Sequence, residues 1–142
     1  MKYLILLLVL CSCMKKSGPD EVLQSYINDR FNKELTREDF KDYFAGEILQ
    51  ELEGLDEKVI GDLNEVKQAK KKKLAIDFKR CDEDKCFITY TLSYDASAKA
   101  DASQTGVTVK VKKIAELRRL ENEWKIFGIT DIKTFYDYES IN

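Results

Sequence analysis

The chain runs to 142 residues, with 24 lysines and arginines against 26 aspartates and glutamates, no histidine, one proline, six glycines and four cysteines. That length suits one domain with a leader, and the near-neutral balance lacks the clustered positive charge that phosphate backbones demand, which argues against nucleic acid as a main partner. Without histidine the commonest general base and transition-metal ligand is missing. Serine-triad hydrolases, histidine-dependent metalloenzymes and cysteine–histidine proteases are thereby excluded in their usual forms, while aspartate, glutamate, tyrosine or lysine catalysis stays open.

The first element is an apolar run of seven, Leu4 to Leu10, far short of the roughly 20 residues that a spanning helix needs. With Lys2 ahead of it and small residues behind, it reads as a secretory signal rather than a buried strand. Leu10-Cys11-Ser12-Cys13 then resembles the bacterial lipoprotein signal, which places an aliphatic residue and a small residue just ahead of an acceptor cysteine. Cys11 fits that pattern worse, because bulky Leu10 would directly precede the cut. The resemblance implies that the Cys13 thiol is diacylglycerylated, that the Ser12–Cys13 bond is cleaved, and that Cys13 becomes the fatty-acylated N-terminus. Several acyl chains hold a protein stably at a membrane where one does not. On this reading residues 1–12 are the signal peptide, 13–18 the lipidated tether and 19–142 a single domain. Met14 stands where enteric bacteria use aspartate to retain a lipoprotein in the inner membrane, so in a Gram-negative host the expected address is the outer membrane, facing the periplasm.

Three helices are expected next. Pro19 suits a first helical position, and Val22, Leu23, Tyr26, Ile27 and Phe31 follow at helical spacing. Thr36 with Asp39 has the form of a capping box; behind it Phe40, Tyr43, Phe44, Ile48, Leu52 and Leu55 make one stripe, with Gly54 near its end. Asp56 can cap a third helix carrying Val59, Ile60, Leu63 and Val66. The lysine-rich KQAKKKK that follows reads as a solvated loop; near anionic lipid each lysine would add about 1 kcal/mol of surface attraction.

Four strands are expected over Lys73–Arg80, Cys86–Asp95, Val107–Arg119 and Glu123–Phe135, with ASAKADASQTG as a long hairpin loop between the second and third. In CDEDKC, Cys81 and Cys86 flank a tight turn, and in an oxidising compartment such a pair forms a disulfide. Zinc would need more ligands than two thiols, and redox cysteines usually stand two apart at a helix start. Closing so short a loop stabilises by about 2 kcal/mol. Direct pairing of the cysteines leaves Leu74, Ile76 and Phe78 on one face with Phe87, Thr89 and Thr91, opposite Ile88, Tyr90, Leu92 and Tyr94. Either the sheet is buried on both sides or a bulge shifts the register, and the bulge is preferred. KKIAELRRLENE contains good helix formers, but in context it reads as a long bent strand with a turn at Glu121–Glu123.

Helices followed by a meander of long strands, with a charged turn and EWKIFGITDI at the end, resemble the nuclear-transport-factor-2-like (cystatin-like) superfamily, in particular its small bacterial lipoprotein members. The tail motif of hydrophobic strand, polar turn and Trp-Lys-Ile corresponds to Leu117 through Ile126; Glu121-Asn122-Glu123 stands where many members carry a glycine. The resemblance covers most of residues 19–136. It implies an α+β fold, with N-terminal helices packed on a curved antiparallel sheet of four or more strands, forming a cone whose mouth often holds a small ligand.

Tyr26, Tyr43, Phe44, Phe78 and Trp124 are then expected to shape the interior. The leading expectation is a non-enzymatic, membrane-tethered module of the cell envelope that takes a small apolar ligand or a segment of an envelope protein, with no cofactor and no metal. A second is an inhibitor or immunity protein that docks a toxin or cell-wall hydrolase through Asp82, Glu83 and Asp84. A third is an isomerase-like enzyme using an aspartate base and a tyrosine donor; Asp131, Asp77, Tyr43, Tyr90 and Tyr136 supply those residue types, but no spacing singles out a pair.

Overall fold

The structure, a computed structural model, describes residues 17–63, 72–95 and 107–138. The leader with Cys13, the lysine-rich segment up to Lys71 and the ASAKADASQTG stretch lie outside the described residues. Four helices precede four strands: α1 (Pro19–Asn32), α2 (Arg37–Tyr43), α3 (Glu47–Gly54), α4 (Glu57–Leu63), β1 (Lys72–Cys81), β2 (Lys85–Asp95), β3 (Val107–Leu120) and β4 (Glu123–Tyr138). Among the described residues no helix is long and apolar enough to cross a membrane.

α1 opens with proline in its first turn and with Asp20 and Glu21 beside its positive end. It buries Leu23, Tyr26, Ile27 and Phe31 along one stripe. α2 starts at the expected capping box: the Asp39 N–H donates to the Thr36 hydroxyl (3.3 Å) and the Thr36 N–H to the Asp39 carboxylate (2.8 Å). The stripe from Phe40 to Leu55, expected on one helix, is split in two. At Phe44 the chain turns extended (φ −110°, ψ 155°), and Gly46 takes φ +72°. Between them Phe44 bridges Ile126, and the Ala45 N–H donates to the Ile126 carbonyl at 3.1 Å. Periodicity alone could not reveal this break, because the side chains on either side of it keep an apolar phase.

The strands form one antiparallel sheet in the order β1-β2-β3-β4. The α+β architecture is therefore a layer of helices on one face of an open four-stranded sheet. Leu23, Ile27, Phe31, Phe40 and Phe44 from the helical half pack with Cys86, Ile88, Tyr90, Leu92, Ala115, Leu117 and Ile126 from the sheet. Polar ties flank this core: Lys79 pairs with Asp20 at 3.0 Å, and the Lys125 ammonium donates to the carbonyls of Lys41 (3.2 Å) and Asp42 (2.8 Å) near the end of α2.

The preferred bulge is present. The register skips between Ile76 and Phe78, so Leu74 and Ile76 face Leu92 and Tyr90, while Cys81 still faces Cys86. Those two cysteines are disulfide-bonded, with Cα atoms 4.0 Å apart. β3 is strand throughout, its Val109, Val111, Ala115 and Leu117 buried in alternation. It joins β4 through Glu121 (φ 47°) and Asn122 (φ 71°), the two positive-φ positions of a type I′ hairpin turn.

Candidate ligand-binding site

A cavity of about 240 Å³ lies between the helices and the β3–β4 side of the sheet. α1 contributes Tyr26 and Arg30, one turn apart and so on one face. The α2–α3 break turns Phe40 and Phe44 inward beside Ile48 and Leu52 of α3, with Leu35, Leu63 and Ile129 closing the apolar wall. Lys113 and Asp131, opposite each other in the β3–β4 register, form an ion pair at the rim. A second hollow of about 260 Å³, over the end of the sheet, is also lined by Arg30, Lys113 and Asp131. These three charged residues therefore stand on the boundary between an apolar chamber and a more polar one.

The phenols here are held neutral. Burial pushes the Tyr26 hydroxyl up from its ordinary value, against the opposing pull of the Arg30 guanidinium, which hydrogen-bonds it. Burial likewise raises Tyr90, with the Tyr26 hydroxyl and the Asp131 carboxylate adding to the rise and Arg30 opposing it. A wider hollow of about 550 Å³ beside α2 and α4 offers less to a ligand. Its cation, Arg37, is already committed to Glu57 (3.2 Å) and to the carbonyls of Glu53 and Leu55.

Of the five aromatic residues expected to shape the interior, Tyr26 and Phe44 line the cavity, their rings edge to face with centroids 4.8 Å apart. Tyr43 packs against Tyr26 at 5.6 Å but stands behind the wall, its hydroxyl donating to Asp29. Trp124 is half-buried against the core near the β3–β4 turn, away from the cavity lining. Phe78 corrects the expectation. The bulge leaves it opposite Thr89 on the sheet face away from the helices, and it is 62 % exposed.

Two rim residues, Arg30 and Lys113, escaped the sequence reading, although each left a signal. Arg30 is a cation beside the buried stripe of α1, and Lys113 falls in phase with Val111, Ala115 and Leu117 on the buried side of β3. A charge at an apolar phase marks either a rim or an ion pair, and here it marks both.

At the far end of the sheet the Cys81–Cys86 hairpin is fixed from two sides. The Asp82 N–H donates to the Lys85 carbonyl (2.7 Å), and Arg119 of β3 reaches Asp84 through both its N–H (2.8 Å to the carbonyl) and its guanidinium (2.9 Å to the carboxylate). Asp82 and Glu83 project from the tip. Among the described residues no group of three or more histidine, cysteine, aspartate or glutamate side chains is placed to hold a metal ion. The chain matches no protein-family model, no curated protein and no solved structure.

Proposed function

We propose that the protein is a lipid-anchored module of the cell envelope that binds a small ligand in the cavity between its helices and sheet and catalyses no reaction. In this reading the helices and sheet make the cone-like arrangement of the nuclear-transport-factor-2-like proteins, and Cys13 carries the anchor. The observation that carries the ligand-binding part is an apolar chamber under the helices whose rim gathers two cations and one carboxylate. Small-molecule sites have this composition, an apolar wall with a few convergent polar groups. Among the described residues the carboxyls displaced from their ordinary values, Asp20, Asp29, Asp39 and Glu116, are all held low. The isomerase-like reading calls for a carboxyl held high inside the chamber, and none of these four is one.

Native mass spectrometry of the domain recovered from its host's envelope tests the ligand. An added mass in the small-molecule range, lost on denaturation, is the expected result; a bare domain would sink it. The anchor is tested by labelled palmitate, whose incorporation should vanish in Cys13→Ser.

A second reading, an inhibitor of a basic toxin or cell-wall hydrolase, is favoured by the disulfide-fixed tip with Asp82 and Glu83 exposed. Charge reversal at both positions should abolish inhibition of such a target while leaving the fold intact.

A further inference from the structure

We infer that the ligand of this cavity is a small monoanionic amphiphile, a medium-chain carboxylate whose head lies between Arg30 and Lys113 and whose apolar body lies among Phe40, Phe44, Ile48 and Leu52. The inference rests on the ligand-binding reading above and adds the chemical class.

Charge decides the head. Arg30 is half-buried on α1 and faces the Tyr26 hydroxyl, and among the described residues no carboxylate is paired with it. Lys113 is already matched by Asp131. The rim therefore carries two cations against one carboxylate, and a single negative charge completes it. A dianion such as a phosphate monoester would overshoot and stand close to Asp131. Guanidinium presents a planar fork that meets the two oxygens of a carboxylate with two parallel hydrogen bonds. Tyr26 and Tyr90 stay protonated because burial disfavours their anions, so neither adds a competing negative charge.

Size and polarity decide the body. A volume of about 240 Å³ holds about eight water-sized groups at roughly 30 Å³ each. That suits a chain of about eight carbons and is too little for a sterol or a whole phospholipid. The wall away from the rim is aliphatic and aromatic, with no charge to satisfy.

Calorimetric titration of the chain from Lys15 to Asn142, which contains every buried core residue among those described, with octanoate and with uncharged octan-1-ol tests this. Octanoate should saturate one site, and octan-1-ol should bind about tenfold more weakly, the factor expected for one charge-assisted hydrogen bond. Arg30→Met should bring octanoate down to the level of the alcohol. Asp131→Asn should tighten octanoate severalfold and leave the alcohol unchanged. Leu52→Trp, which fills the chamber, should abolish both, whereas Tyr136→Ala in the neighbouring hollow should affect neither. Ile48→Trp replaces Leu52→Trp if thermal melting shows that variant unfolded.

Equal binding of acid and alcohol, or an Arg30→Met variant that behaves as wild type, would overturn the anionic head. Loss of octanoate in Tyr136→Ala would overturn the placement of the body. If neither compound binds but the envelope-derived domain carries an added mass, the class is wrong and the ligand-binding reading stands. If neither binds and the domain is bare, both fall.

Discussion

Gly46 and Phe127 compete for the same space: a Cβ built on Gly46 would lie 2.8 Å from the Phe127 ring. Gly46 also sits at φ 72° and ψ −148°, a region open essentially to glycine alone. Here the chain leaves α2, touches the edge of β4 at Ile126 and re-enters a helix as α3. Gly46→Ala should therefore destabilise the fold by about 2–4 kcal/mol, from backbone strain together with displacement of the ring. Urea denaturation reads this directly. Phe127→Leu in the same background should recover the ring part, and an unchanged midpoint for Gly46→Ala would sink the account.

The β3–β4 turn points the other way, since it can be improved. Glu121 and Asn122 both adopt positive φ, where a side chain other than asparagine or aspartate is disfavoured by about 1–2 kcal/mol. Asn-Gly is the preferred pair for this turn. Changing Glu121→Asn together with Asn122→Gly should stabilise by about 1 kcal/mol and raise the melting temperature by a few degrees. A lowered melting temperature would mean that Glu121 makes a contact worth more than its strain.

Much of this was legible in the residues. The Thr36–Asp39 box, the strand spans, the Cys81–Cys86 pairing and the presence of a bulge in the first hairpin could all be read from local chemistry or from alternation, though not the bulge's place after Ile76. The interruption at Phe44–Gly46 could not, because its cause is a hydrogen bond to Ile126, which lies far along the chain. Phe78 misled for a related reason: once the bulge rotates Leu74 and Ile76 onto the helix face, Phe78 is left on the other. Arg30 and Lys113 were visible as charges at buried phases, but only the packing of α1 over β3 and β4 brings them to one rim.

The disulfide makes a separate prediction. Reducing it, or replacing both cysteines with alanine, should cost about 2 kcal/mol, the loop-closure value for so short a span. Cys86 is fully buried and Cys81 exposed, so Cys86→Ala should cost more than Cys81→Ala when each is measured under reducing conditions. Equal values would mean that the core closes over the smaller side chain. Arg119→Ala should then free the tip further, seen as faster amide exchange at Asp82 and Glu83.

The Tyr43–Asp29 hydrogen bond gives the protein two titrating legs. The bond from Tyr43, and then that from Lys33, hold the Asp29 carboxyl below its usual range. Its contribution is therefore complete above about pH 4 and is lost as pH falls through the lower folded value. Tyr43 is pushed up to about 12, first by burial and then by Asp29. Its contribution is complete below about pH 10 and is lost as pH rises from there through the folded value. Tyr43→Phe should cost about 1 kcal/mol at neutral pH and flatten both legs in a denaturation series across pH. Legs of unchanged steepness would assign the titration to other groups.

The placing of Ile126 bears on how the chain can be made. A polypeptide leaves the ribosome N-terminus first, so the four helices emerge before any strand. α2, α3 and α4 are only seven, eight and seven residues long, too short to persist alone in water. The partner that fixes the α2–α3 corner, Ile126 on β4, is among the last core residues to be synthesised. Each strand, by contrast, pairs with its neighbour in sequence and can zip as it arrives. The expectation is therefore that synthesis order and assembly order run in opposite directions, so that a nascent chain stopped short of Glu123 leaves the α2–α3 corner unfixed.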